Sequence, residues 1–172
     1  MEKIKAQLIG ETISTNESEA FSLYEKSSFG EPISEKIQYT LSEAFFLAEK
    51  EKLDIIYKNK KLSKQDIVNK FQRIDKKFLL KNTVYHDLRE KGYVVKTALK
   101  FGADFRVYEK GFRPGTEHAK WIVFIERESK KFSWSDFSAK NRVAHSTKKN
   151  LLIAIIDEEG DVSYYEVKWV KP

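Results

Sequence analysis

The chain has 172 residues, 41% apolar and 13% aromatic, enough to bury the core of one sizeable domain or two small ones. Thirty-two Lys and Arg against 26 Asp and Glu leave a net charge of +6, which favours a polyanionic partner without requiring one. The absence of cysteine excludes disulfides, thiolate zinc sites and a thiol nucleophile; three scattered histidines build no metal cluster, and no run reaches the ~20 apolar residues that cross a bilayer, so a soluble, cytoplasmic protein is expected.

In chain order, residues 4–13 read as a strand, and Asn16 with Glu19 three positions on has the capping-box spacing that opens a helix through Ala20, Phe21 and Tyr24. Gly30 and Pro32 break that pattern, residues 33–39 suggest another strand, and Thr40 with Glu43 repeats the capping signal ahead of LSEAFFLAEKEK. Ile55, Ile56 and Tyr57 mark a short strand before a Lys-rich turn. Ser63 with Asp66 opens a helix whose Ile67, Phe71, Ile74 and Phe78 keep helical spacing and whose basic end, Lys76 and Lys77, suits a C-terminus. A second helical pattern over residues 79–91 stops at Gly92 and leads into a strand over 93–99. The expected fold is α/β (α+β): two small mixed α/β domains, residues 1–82 and 83–172, the second with a central mixed sheet and flanking helices.

Within the second half, FGADFRVYEKGFRPGTEHAKWIV (residues 101–123) concentrates the chemistry. Phe101, Ala103, Phe105 and Val107 alternate with Gly102, Asp104, Arg106 and Tyr108, the period of a half-buried strand with Tyr108 off the Phe face. Gly111, Pro114 and Gly115 make a loop that carries His118, and Trp121, Val123 and Ile125 resume alternation. Ser133 with Asp136 then opens a helix holding Arg142, Ala144 and His145; residues 148–156 form a buried strand, Asp157 to Asp161 a hairpin turn and 162–170 the last strand.

A tyrosine phenol, with an ordinary pKa near 10, is a poor base unless cations stabilise its phenolate, whereas an imidazole in a polar loop titrates near neutrality without a packing duty. Lys148 or Lys149, entering the buried run LLIAII, offers a fixed positive charge to a phosphate; the residues alone do not choose between them. Arg142 has the planar fork suited to a phosphate or a base. On their residues alone, His145 reads as a helix-terminal, hydrogen-bonded group and His86 as a surface one. Phenol, imidazole and ammonium, with no paired carboxylates for a metal, fit attack of an RNA 2′-hydroxyl on its own 3′-phosphate, without an ion or cofactor.

The run YHDLREKGYVVKTALKFGADFRVYEKGFRPGTEHAKWIV, followed by RVAHSTKKNLLIAIIDEEGDVSYYEV, resembles the archaeal tRNA-splicing endonucleases over about the C-terminal half. The resemblance implies catalytic roles for Tyr108 as general base, His118 as general acid and Lys149, rather than Lys148, as transition-state stabiliser. It implies a precursor-tRNA substrate cut at bulge-helix-bulge junctions; the reaction read from the residues would leave 2′,3′-cyclic phosphate and 5′-hydroxyl ends without metal or cofactor, and no DNA or membrane partner is expected. It also implies a base clamp at Arg142, for which Trp169 is the C-terminal partner found here in place of an expected Arg. Finally it implies a homotetramer whose acidic turn, Asp157, Glu158, Glu159 and Asp161, inserts into a basic cleft of the opposing dimer. The rival readings are a non-catalytic RNA-binding subunit of such an assembly, an unrelated basic nucleic-acid-binding module, or a metal-dependent nuclease.

Overall fold

The structure, a computed structural model, describes residues 3–172. It divides into two compact units, the first ending at Asn82 and the second beginning at Thr83.

In the first unit β1 (Ile4–Ile9) and β2 (Thr12–Thr15) form a hairpin rather than the single strand that residues 4–13 suggest, because Gly10 takes a positive φ of 61° and turns the chain. Residues 33–39 likewise hold the end of β3 (Glu31–Ile33), a turn and β4 (Lys36–Tyr39). With β5 (Leu53–Tyr57) and the two-residue β6 (Lys60–Lys61) these make a mixed sheet ordered β3-β4-β2-β1-β5-β6, in which only β1 and β5 run parallel.

The helices of this unit are α1 (Ser18–Ser27), α2 (Leu41–Glu49) and α3 (Lys64–Ile74). Both capping boxes anticipated for α2 and α3 form reciprocally, at Thr40/Glu43 and Ser63/Asp66. Asn16 caps nothing: the N-cap of α1 is Glu17, whose carboxylate accepts the Lys5 N–H of β1 at 2.9 Å instead. Lys76 and Lys77 lie beyond α3, which ends at Ile74. Glu43 is nearly fully buried, and its carboxylate also accepts the Gly30 N–H, tying the turn before β3 to α2.

α4 (Phe78–Glu90) begins in the first unit, and its later turns belong to the second. The second unit has one five-stranded mixed sheet, ordered β11-β10-β9-β8-β7. Its strands are β7 (Val94–Thr97), β8 (Phe105–Tyr108), β9 (Trp121–Arg127), β10 (Asn150–Ile156) and β11 (Val162–Val167). β9 and β10 run parallel, joined by α5 (Trp134–Ser146), and the other pairings are antiparallel.

Helices cover both faces. Tyr85 of α4 packs on Phe105 with ring centroids 5.9 Å apart, and the Tyr164 hydroxyl donates to Asp87 at 2.6 Å. On the other face Ala144 of α5 joins Ile122, Phe124 and Leu151 in one cluster. β9 is therefore buried on both sides, not alternately exposed. The alternation from Phe101 to Val107 is not one strand: Leu99–Phe101 is a 3₁₀ turn, Gly102 is left-handed, and β8 starts only at Phe105. β11 stops at Val167, short of Trp169. Among the described residues no helix is long and apolar enough to cross a membrane.

Candidate active site

The sheet of the second unit brings three sequence positions to one end. β8 ends at Tyr108 and is antiparallel to β9, with Val107 opposite Trp121; β10 is parallel to β9, with Asn150 opposite Trp121. The ladder continues one residue further, because the Lys120 N–H bonds to Val107 O and the Asn150 N–H to Lys120 O, both at 2.9 Å. Tyr108, Lys120 and Lys149 thus form a row across three neighbouring strands. With strands spaced just under 5 Å apart, the backbones of Tyr108 and Lys149 are about 10 Å apart. His118 is two residues from Lys120, so its backbone is within about 7 Å of that row.

The same register assigns a face. Arg106 lies opposite Ile122, which packs on the α5 side, and Tyr108, two residues on, shares that side. Tyr108 is 4% exposed rather than displayed on an open polar face. Lys149 also reaches this face: its ammonium lies 5.8 Å from the centre of the Phe101 ring, part of the α5-side core, and donates to Thr147 O at 2.8 Å. Burial, and then the positive charge of Arg106, lower the pKa of Lys149 below its ordinary value.

Neighbouring Lys148 is placed differently. It is exposed and sits at φ 55°, where its N–H bonds to His145 O (3.0 Å) while the Lys149 N–H bonds to Ala144 O (2.9 Å). This crossed pair of bonds ends α5 and turns the chain into β10. The first lysine makes the turn and the second points inward.

His118 is exposed on the loop between β8 and β9. The loop is braced at its base, where Glu109 and Lys120 pair at 2.5 Å, and near its tip, where Glu117 accepts the Arg113 N–H at 2.7 Å and the Thr116 hydroxyl. None of these bracing residues stood out in the sequence. Their signal, charges flanking the two strand ends, is intelligible only once the register is known.

Arg142 is exposed on α5, and His145, three residues on, lies on nearly the same side of the helix. The His145 ring packs at 4.5 Å from that of Trp169, which brings the tail residue alongside the exit of α5. His86 sits 3.9 Å from Glu90 on α4. The acidic turn is elsewhere. Asp157 follows the last residue of β10, and β10 starts beside Lys149, so seven residues of strand, about 23 Å, separate the turn from Lys149.

Residues 78–164 match the family model described as the tRNA intron endonuclease, catalytic C-terminal domain, and residues 4–68 match that of its N-terminal domain. The chain belongs to the tRNA intron endonuclease family. A tRNA-splicing endonuclease from Pyrococcus horikoshii is 40% identical over 169 residues, covering 98% of this chain and 97% of that protein. One from Thermococcus kodakarensis is 42% identical over 158 residues, 92% of each chain, and one from Nanoarchaeum equitans is 43% identical over 138 residues, 77% of this chain and 88% of that one. Tyr108, His118, Arg142, Lys149 and the acidic turn all fall inside the match to the endonuclease catalytic domain; Trp169 lies beyond it.

Proposed function

We propose that the protein is the endoribonuclease that removes introns from precursor tRNA at bulge-helix-bulge junctions, and that Tyr108, His118 and Lys149 carry the reaction. The supporting observation is the row at one end of the sheet, where Tyr108, the foot of the His118 loop and Lys149 occupy adjacent strands. The backbones of these positions lie within about 10 Å of one another, a span that three long side chains and one phosphodiester could bridge.

The RNA 2′-oxygen attacks the adjacent phosphorus while the Tyr108 phenolate takes its proton. The bond from phosphorus to the 5′-oxygen breaks, and His118 gives that oxygen a proton. The ammonium of Lys149 offsets the negative charge that builds on the non-bridging oxygens. The products are a 2′,3′-cyclic phosphate and a 5′-hydroxyl. Tyr108 needs positive charge nearby to act as a base, and Arg106 and Lys149 lie on its face of the sheet. The nucleophile belongs to the substrate, so DNA is not cut.

Substrate recognition rests on splayed bulge bases, which proteins reach more readily than paired bases in A-form RNA. Arg142 and Trp169, close to the end of α5, supply a stacking plane and an aromatic face for such a base. Two bulges require two cutting centres. We assign these to a homotetramer in which Asp157, Glu158, Glu159 and Asp161 dock in another copy, in keeping with their distance from their own Lys149.

The test is cleavage of a bulge-helix-bulge RNA in excess EDTA by the parent and His118→Ala. The parent should cut unimpaired, and the variant should be slower by roughly 10²–10⁴ with RNA affinity retained. Activity that is lost to chelation and restored by magnesium refutes the mechanism; a binding loss as large as the rate loss refutes the general-acid role.

A further inference from the structure

The loop from Lys110 to Ala119 has to present an imidazole from an exposed, glycine-containing stretch, which by itself fixes no side chain. Its two feet, however, are locked together. The Glu109 carboxylate, directly after Tyr108, meets the Lys120 ammonium at 2.5 Å, and the Lys120 backbone is bonded on both sides, to Val107 and Asn150. The Lys120 ammonium also lies 4.6 Å from the centre of the Trp121 ring, which makes a T-shaped contact with Tyr93. Further along, the carboxylate of Glu117, the residue before His118, closes a small ring. It accepts the Arg113 N–H and the Thr116 hydroxyl, while the Glu117 N–H bonds to Arg113 O at 3.0 Å. His118 thus sits between two braces, one residue from Glu117 and two from Lys120.

We infer that the Glu109–Lys120 ion pair and the Glu117 carboxylate are positioning elements that aim His118 at the leaving 5′-oxygen. The inference rests on reading His118 as the general acid. Both glutamates act through the loop and not on the phosphate. An exposed ion pair adds little to folding, so its value here is directional. It ties the strand that ends in Tyr108 to the strand that follows His118, holding base and acid at a constant separation.

The experiment compares two RNAs with the same junction, one with the natural 5′-oxygen at the scissile phosphate and one with sulfur there. A departing thiolate, with a conjugate-acid pKa near 8.5, needs no proton from the enzyme. Glu109→Gln, Lys120→Met, Glu117→Met and the double variant E109Q/K120M are measured beside His118→Ala in single-turnover cleavage, with thermal midpoints recorded for each.

On the oxygen substrate each single variant should lose about 10-fold in rate at unchanged affinity, because a misplacement of about 1 Å is worth up to 10²-fold. The double variant should be no slower than the worse of its two singles, and Lys120→Arg, which keeps the pair, should recover most of the rate. On the sulfur substrate all of these losses, and that of His118→Ala, should nearly vanish. Equal losses on both substrates would overturn the inference, since they would mean that Lys120 or the glutamates serve the phosphate or the fold. Parent-like rates for the brace variants on oxygen would overturn it as well, leaving the role of His118 intact if His118→Ala is slow and rescued by sulfur. A His118→Ala loss that sulfur does not rescue overturns both readings.

Discussion

The exit of α5 gives two adjacent lysines opposite tasks, and their substitutions should separate accordingly. Lys148 occupies the left-handed position that helix ends usually reserve for glycine, at φ 55°. A side chain held in that conformation costs about 1–2 kcal/mol. Glycine removes the strain but brings about 0.5–1 kcal/mol of extra unfolded-state freedom, so Lys148→Gly should stabilise the second unit by about 0.5–1 kcal/mol. For a unit of this size that is a midpoint rise of about 2–8 °C. Lys149→Met keeps an apolar stem near the Phe101 ring but removes the ammonium that sits 5.8 Å from its centre. Loss of one fixed charge at the reacting phosphate should slow cleavage by about 10²–10³. Thermal denaturation and single-turnover cleavage on both variants provide the assay. A Lys148→Gly protein that is less stable than its parent, or as slow as Lys149→Met, refutes this division of labour.

Three further outcomes are expected. Glu43 accepts the Gly30 N–H through one carboxylate oxygen and the Thr40 N–H and hydroxyl through the other, each at 3.0 Å. Glu43→Gln sets an amide N–H against one of these donors and should cost about 2–3 kcal/mol in urea unfolding, with faster amide exchange at Gly30; a cost under about 0.5 contradicts it. Burial, then the charge of Arg106, lower the Lys149 pKa, so its ammonium is complete at low pH and is lost as pH rises, below the ordinary lysine value of about 10.4. The rate should fall on that alkaline side, and Lys149→Arg, always charged, should lose this fall; an unaltered profile contradicts the assignment. Glu158→Lys with Glu159→Lys should convert a four-copy particle to a two-copy one by light scattering, and a parent protein that is already two-copy contradicts the docking.

Where the governing contact was local, the sequence was readable. Thr40/Glu43, Ser63/Asp66 and Ser133/Asp136 each form the reciprocal cap that their three-residue spacing announces. Asn16/Glu19 has the same spacing and fails, because Glu17 is drawn to the Lys5 N–H twelve residues back, a partner that no local rule identifies. The alternation from Phe101 to Val107 misleads for a related reason. Phe101 is held in the α5-side cluster from a 3₁₀ turn, and Phe105 packs on Tyr85 of α4, so members of one alternating series, four residues apart, serve different faces. At the candidate site, Tyr108, His118 and Lys149 were legible as residue types in a familiar order. The row that joins their strand ends depends on pairings between residues 14 and 29 positions apart, and the Glu109–Lys120 contact joins residues 11 apart.

The length of β10 bears on the proposed assembly. The strand separates Lys149, the lysine proposed to act on the phosphate, from the acidic turn at its far end, so in an assembly built through that turn its length would set the spacing between active centres. All seven of its residues pair with β9 and six of them with β11 as well, which leaves little slack for that spacing to stretch. Lengthening the strand by two residues would leave its Lys149 end unaltered and change which pairs of junctions, measured along the RNA, the particle accepts.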